Sequence, residues 1–169
     1  MCAVDYVFPW DRIVARFKFD GQAELARPLA RMLTEVAPAA PAPLPGLFVP
    51  VPMSADRLAS RGYDQAWELA RRLGRNLRVP ARTGVLVRRF GGRHQTGLPR
   101  QARLANLRGA FTLEPGAHRL VRGSTVGLVD DVMTTGATAA EASSVLLAAG
   151  ALRVDLWVVA RTPAPGDGA

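Results

Sequence analysis

The sequence has few of the residues and patterns on which several protein classes depend. Its single cysteine, Cys2, excludes an internal disulfide and leaves no cysteine-based zinc site. Its single lysine, Lys18, excludes a P-loop, and the Gly-x-Gly-x-x-Gly dinucleotide fingerprint is missing too. No apolar run approaches the roughly 20 residues of a membrane-spanning helix, and the N-terminus shows no secretory signal pattern. We therefore expect a cytoplasmic protein.

Length and hydrophobic periodicity predict one α/β unit. A chain of 169 residues with 49% hydrophobic content can bury one substantial core. Strands are predicted at 47–51, 84–89, 109–113, 126–129 and 152–160. Helices are predicted at 6–19, 22–36, 63–75 and 139–149. This alternation favours a mainly parallel sheet flanked by helices.

Composition also suggests where the chain divides. Residues 38–45, PAAPAPLP, are typical of an extended, semi-rigid connector. We expect N-terminal helices and this connector over 1–45, a core over 46–162, and a short disordered tail over 163–169.

Positive charge is concentrated in one third of the chain. From Arg57 to Arg108 there are thirteen arginines but only two carboxylates, whereas the whole chain carries a net charge of +8. A general preference for arginine over lysine explains the residue type but not the clustering. Such clustering indicates a localised polyanion site, for which pyrophosphate and nucleic acid are both candidates.

The stretch 125–150, TVGLVDDVMTTGATAAEASSVLLAAG, joins a predicted buried strand to a predicted helix. Between them lie two acids and a group of small hydroxyl and glycine residues: Asp130, Asp131, Thr134, Thr135, Gly136 and Thr138. A helix N-terminus favours an anion, and Gly136 lets the backbone approach a ligand closely. Carboxylates beside a phosphate suit a ribose diol or a divalent metal. The order therefore predicts a sugar-phosphate site at the carboxyl end of a parallel strand.

A structural alternative exists for the same loop. Thr138 and Glu141 have the spacing of a capping box, in which each side chain would satisfy a backbone N–H group at the helix start. The cap and the ligand site are compatible with each other.

Residues 126–138, VGLVDDVMTTGAT, closely resemble the phosphoribosyl pyrophosphate (PRPP) motif of type I phosphoribosyltransferases. Further residues resemble the ComF competence-associated branch of that superfamily: RGYDQ at 61–65, QTGL at 95–98, Arg103, Asn106 and GAF at 109–111. The similarity covers about residues 8–159. ComF-like proteins commonly begin with a four-cysteine zinc module, and this sequence departs from them there. Cys2 is either a remnant of that module or an ordinary terminal thiol.

The resemblance implies a type I phosphoribosyltransferase-like α/β fold in which the N-terminal helices form a small hood over the acceptor pocket. It implies that Asp130 and Asp131 hold the ribose hydroxyls, with Mg²⁺ reached through the same acids. The 5′-phosphate would be held by Thr134, Thr135, Gly136, Ala137 and Thr138.

The resemblance also assigns arginines to the pyrophosphate group. Arg57 and Arg61 follow the predicted strand at 47–51, where the superfamily has its pyrophosphate loop, and Ser54 is a weaker candidate. Arg93 and Arg100 fall in the loop that closes over the reaction centre and would cover the leaving group. We leave His94 outside the catalytic set, because a lone histidine in an exposed loop is usually a surface residue.

Two functions follow from these observations. The first is an enzyme that binds PRPP with Mg²⁺ and transfers phosphoribosyl to an acceptor. The second is a non-catalytic accessory of DNA uptake, which senses PRPP or handles nucleic acid, with single-stranded DNA or DNA-uptake proteins as partners.

Overall fold

The computed structural model describes residues 1–37, 43–89 and 109–163. Most of the predicted connector, the tail and the loop that carries Arg93, His94 and Arg100 lie outside the described residues. The described strands are β1 (Cys2–Asp5), β2 (Leu47–Pro50), β3 (Leu86–Arg88), β4 (Phe111–Leu113), β5 (Thr125–Met133) and β6 (Arg153–Arg161). The described α-helices are α1 (Trp10–Phe19), α2 (Ala26–Val36), α3 (Ala55–Arg61), α4 (Gln65–Leu77), α5 (His118–Val121) and α6 (Ala137–Ala148). None of them is long and apolar enough to cross a membrane.

The main sheet has the strand order β1-β6-β5-β2, and each of its strand pairs is parallel. The predicted α/β architecture is therefore confirmed. A separate antiparallel hairpin joins β3 and β4. Because the main strands are parallel, their carboxyl ends meet at a single edge, where open α/β sheets bind ligands.

The N-terminus contributes a strand that the sequence analysis did not predict. β1 pairs with β6, with Cys2 opposite Val158 and Val4 opposite Ala160. Its four residues carry no clear periodicity, and its partner lies more than 150 residues away in the chain. The two following helices are where the periodicity predicts them, although α2 begins only at Ala26, after a 3₁₀ turn over Ala23–Leu25. The division of the chain at residue 45 stays a prediction.

The sheet is packed on both faces. One face carries α1, α2 and α4, whose Phe17, Leu33 and Leu69 are fully buried. Phe48 and Trp157 also lie on that face, with ring centroids 5.0 Å apart in an edge-to-face arrangement. The opposite face carries α6 and the β3–β4 hairpin. Burying one such large side chain contributes roughly 1.5–3 kcal/mol, so this packing holds the ligand edge of the sheet in place.

Two predictions around the ligand edge are wrong, and one short helix was not predicted. β5 runs to Met133, so Asp130 and Asp131 belong to the strand and do not follow it. The pyrophosphate segment is largely helical, because α3 covers Ala55–Arg61. The short helix α5 lies between the predicted strands at 109–113 and 126–129. Pairing with β6 explains the extension of β5, since Val132 and Met133 lie opposite Ala160 and Arg161.

Candidate functional site

The two adjacent acids lie on opposite faces of β5, as successive residues of a strand must. Asp130 is half-buried on the α6 face, and its Oδ1 accepts a hydrogen bond of 2.8 Å from the Asp131 N–H. Asp131 is only 7% exposed, and its Oδ1 accepts from the Val132 N–H at 2.6 Å. The same oxygen is 3.0 Å from Nζ of Lys18, at the end of α1. Each carboxylate thus has one oxygen held by the protein.

The predicted phosphate-binding residues line a single pocket. Residues 134–138, which we call the cradle, line an open pocket together with Asp130, Val132, Met133, Ala139, Leu156 and Val158. Gly136 is the N-cap of α6 and has a φ of 74°, a conformation that side chains other than glycine rarely adopt. The first-turn N–H groups of α6 lack intrahelical partners. The cradle therefore offers backbone donors and hydroxyls to an anion.

The capping-box alternative is not formed. The N-cap of α6 is Gly136, so Thr138 is the second residue of the helix. The carboxylate of Glu141 instead accepts a hydrogen bond of 2.6 Å from the Gly109 N–H. Glu141 thereby ties α6 to the residue from which the chain enters β4, and the Thr138 hydroxyl is left for other partners.

Asp130, the acid on the cradle side of β5, has a raised pKa. Burial, and after it the neighbouring Asp131 carboxylate, raises the pKa of Asp130 to about 8. The Asp131 N–H and the Lys18 ammonium act in the opposite direction but do not offset these two effects. The free protein therefore favours the protonated form of Asp130 near neutral pH, and a cation or hydroxyl donor beside it would favour release of the proton. Carboxyl groups perturbed in this way concentrate at functional sites.

An arginine missed by the sequence analysis faces Asp130. Arg88 ends β3, and its pKa is lowered by burial and by the charge of Arg57, while Asp130 acts in the opposite direction. Its guanidinium lies 5.4 Å from the centroid of the Phe111 ring. Arg57 and Arg88 thus lie near each other, and Arg88 is within electrostatic reach of Asp130. The alternation of side chains along β3 was the available signal, since it directs one of the adjacent Arg88 and Arg89 inward.

The second predicted pyrophosphate arginine lies elsewhere. Arg61 donates to Oε1 of Gln65 at 3.1 Å, and its guanidinium is 5.0 Å from the ring centroid of Phe19. Arg61 therefore contacts the N-terminal helix, on the Asp131 side of the sheet. The structure brings Arg57 close to Arg88 and places Arg61 against α1 and α4.

Two buried polar atoms near this edge have no hydrogen-bond partner in the described part of the chain. They are the hydroxyl of Ser54, at the N-cap of α3, and Nε2 of Gln65, a residue that is 1% exposed. An unsatisfied buried donor costs about 1–3 kcal/mol. Buried polar groups usually have a hydrogen-bond partner, and an anion bound after β2 would supply one for the Ser54 hydroxyl.

The acids suit Mg²⁺ only where phosphate oxygens and water supply its remaining ligands. Within the described residues, no three His, Cys, Asp or Glu side chains come together as a metal cluster. Mg²⁺ commonly uses one or two carboxylates and takes its remaining ligands from phosphate oxygens and water. Asp130, whose Oδ2 accepts from no donor in the described ranges, suits that mode.

Known proteins resemble this chain in sequence. Residues 58–167 match the phosphoribosyl transferase domain family. Competence protein F of Haemophilus influenzae is 34% identical over 160 residues, which cover 92% of this chain and 69% of that protein. The DNA utilization protein YhgH of Escherichia coli K12 is 35% identical over 162 residues, which cover 94% of this chain and 70% of that protein.

Two solved structures show the same fold at 18% identity. The glutamine PRPP amidotransferase from B. subtilis superimposes with a TM-score of 0.57, over 86% of this chain and 30% of that one. A structure described as the allosteric regulatory enzyme of purine biosynthesis gives a TM-score of 0.51 with the same coverage. This chain thus corresponds to less than a third of either enzyme. With its domain match and its curated relatives, it belongs to the phosphoribosyl transferase domain family, in the ComF-like branch of the type I phosphoribosyltransferases.

Proposed function

We propose that the protein binds PRPP with Mg²⁺ and transfers its phosphoribosyl group to an acceptor. The observation that carries this proposal is the cradle, residues 134–138, which lines one pocket with Asp130 at the carboxyl end of β5. Backbone donors and hydroxyls suit the 5′-phosphate, and a carboxylate within the same pocket suits the neighbouring ribose hydroxyls.

The charged residues divide between the two ends of the ligand. Asp130, inside the pocket, has one carboxylate oxygen without a described donor that suits the ribose diol, and Asp131, on the other face of β5, remains a proposed second ligand of the diol. Arg57, Arg88 and the Ser54 hydroxyl are assigned to the pyrophosphate. Ser54 and Arg57 follow β2, the strand that pairs with β5, and Arg88 interacts with both Arg57 and Asp130. Arg61, Arg93 and Arg100 remain proposed pyrophosphate ligands. Bound Mg²⁺ would offset the charge of the pyrophosphate and of Asp130.

Catalysis by this site would depend on placement and charge stabilisation. The bond between the anomeric carbon and pyrophosphate breaks, the acceptor forms its bond at the opposite face of that carbon, and configuration inverts. Negative charge then accumulates on the departing pyrophosphate, where Arg57 and Arg88 would stabilise it. Such a mechanism needs no covalent nucleophile, since the cradle and the acids already hold the sugar in one orientation.

Ligand-dependent thermal unfolding tests the proposal. PRPP with Mg²⁺ at 100 times its dissociation constant should add about 2.7 kcal/mol to stability. The double variant Asp130→Asn with Asp131→Asn should lose this gain, whereas Asp155→Asn, on the neighbouring strand β6, should keep it. A wild-type protein whose unfolding PRPP does not alter would contradict the proposal. Pyrophosphate release in the presence of a panel of nucleobases then tests for transfer.

A second function, binding of single-stranded nucleic acid, is favoured by a group of arginines on α2 and α4. Arg71 and Arg72 share one partner, Glu68, with Arg71 Nε donating to it at 2.8 Å and Arg72 Nη1 lying 3.1 Å away. Burial, and after it the nearby charges of Arg71, Arg75 and Arg27, lowers the pKa of Arg72. Four clustered arginines against one carboxylate repel one another, and a polyanion would relieve that repulsion. The relatives named for DNA utilization support the same function.

Binding of a single-stranded oligonucleotide at several salt concentrations tests this second function. The double variant Arg71→Gln with Arg75→Gln should reduce the salt slope of log affinity by about 1.4, since each phosphate contact on a single strand contributes about 0.7. Arg153→Gln is the control. Arg153 lies on a distant strand, where it forms an ion pair with Asp155, so its removal should leave the salt slope unchanged. Affinity that does not vary with salt would exclude a phosphate-backbone site.

A further inference from the structure

The end of α1 is attached to the candidate site through three successive residues. The Tyr63 hydroxyl donates to the backbone carbonyl of Phe17. Nζ of Lys18 lies 3.0 Å from Oδ1 of Asp131, and the ring of Phe19 lies beneath the Arg61 guanidinium. The residues on both sides of Lys18 are thus held by contacts, Phe17 through its carbonyl and Phe19 through its ring. These contacts fix the backbone from which the Lys18 side chain extends to Asp131.

The ion pair between Lys18 and Asp131 is largely shielded from solvent and involves one oxygen of the carboxylate. The two side chains are only 20% and 11% exposed, so water screens their attraction weakly. Oδ1 of Asp131 receives both the ammonium and the Val132 N–H, whereas Oδ2 has no protein partner among the described residues. The carboxylate therefore has one occupied oxygen and one that is available to a ligand.

Without the lysine, Asp131 would be pushed out of this orientation. Its carboxylate is repelled by that of Asp64 at the N-cap of α4. The Val132 N–H would then be the one described donor left to hold it. An ammonium group is a compact point charge on a flexible stem, and it suits a contact with a single oxygen better than a guanidinium fork does.

We propose that Lys18 is a positioning residue for ribose recognition, which holds the carboxylate of Asp131 so that Oδ2 accepts a hydrogen bond from a ribose hydroxyl. The inference rests on the proposed PRPP site, and it adds to that site a residue from the N-terminal helix. Lys18 acts through Asp131 and need not touch the sugar. Ribose discrimination should therefore depend on the lysine, although affinity for the phosphate group should not.

The test is equilibrium binding of three probes to the full chain: ribose 5-phosphate and its 2-deoxy and 3-deoxy analogues. Wild-type protein should prefer ribose 5-phosphate over at least one analogue by about tenfold, the size of one hydrogen bond to a charged group. Lys18→Met should reduce that preference to less than twofold while analogue binding stays unchanged. Lys18→Arg should retain most of it, and Arg12→Met, which removes a cation from the same helix, should retain all of it.

The possible failures are distinct. If wild-type protein binds none of the three probes, the proposed function is wrong. If it binds them and Lys18→Met keeps the wild-type preference, the positioning role is refuted while the phosphate site stands. Equal binding of all three probes by the wild-type protein would likewise refute the positioning role and leave the phosphate site standing. Should Lys18→Met fail to fold, Tyr63→Phe decides the question, because it frees the Phe17 carbonyl with little loss of volume. It should weaken the preference at least threefold, and an unchanged preference would refute the role.

Discussion

Asp130→Asn is expected to stabilise the ligand-free protein, and to do so more strongly as the pH rises. An aspartate in the unfolded chain ionises near pH 4, whereas the folded protein raises the pKa of Asp130 to about 8. Between these values the folded state keeps a proton that the unfolded state has released. Stability therefore falls as the pH increases through this window, and replacement by asparagine removes that dependence.

The raised pKa sets an upper limit on the effect. A shift of about four pKa units corresponds to about 5.5 kcal/mol, at about 1.4 kcal/mol per unit. The carboxyl group lies in an open pocket and is not wholly shielded from water, and Lys18 and solvent will relax around the ionised form. We expect the stability difference between variant and wild type to be about 2 kcal/mol larger at pH 8 than at pH 5.

Urea unfolding at several pH values between 5 and 8 measures this difference directly. Asp155→Asn is the matched control, since Asp155 lies half-buried on the adjacent strand and is paired with Arg153 at 2.9 Å. The control should follow the wild-type pH dependence. Parallel curves for wild type and Asp130→Asn, or a variant less stable than wild type at pH 8, would refute the reasoning. The stabilised variant should also lose PRPP binding, because the carboxyl group that destabilises the ligand-free fold is the group proposed to bind the ribose hydroxyls.

Three further substitutions test the packing and the ligand assignments. Gly127→Ala should destabilise the fold by about 1–3 kcal/mol in thermal unfolding, because a Cβ there would lie 2.5 Å from the Phe48 ring; wild-type stability would show that the ring can move. Gly136→Ala should cost about 1 kcal/mol through its left-handed backbone and should weaken ribose 5-phosphate binding, whereas undiminished binding would argue against the cradle. Arg88→Gln should weaken pyrophosphate binding about tenfold and leave ribose 5-phosphate binding unchanged, and equal losses for both ligands would contradict its assignment to the pyrophosphate end.

Much of the site was predictable because its residues are contiguous. Asp130, Thr134, Gly136 and the start of α6 lie within a single strand-to-helix segment, so their mutual placement follows from local geometry. Apart from β1, α3 and the short α5, the types of the elements were also predictable from hydrophobic periodicity, since the core consists of regularly spaced apolar side chains. The end of β5 was not, because its pairing with β6 overrides the local signal there.

The sequence by itself determined the family, the α/β class and the composition of the cradle, because each depends on residues that are neighbours in the chain. Tertiary structure alone decided which groups meet at the edge of the sheet. Lys18 reaches Asp131, Arg88 faces Asp130, and β1 pairs with β6, although each pair is separated by more than 40 residues. Side-chain pairing at such distances leaves no periodic trace in a sequence. It becomes visible only when the folded sheet brings the partners together.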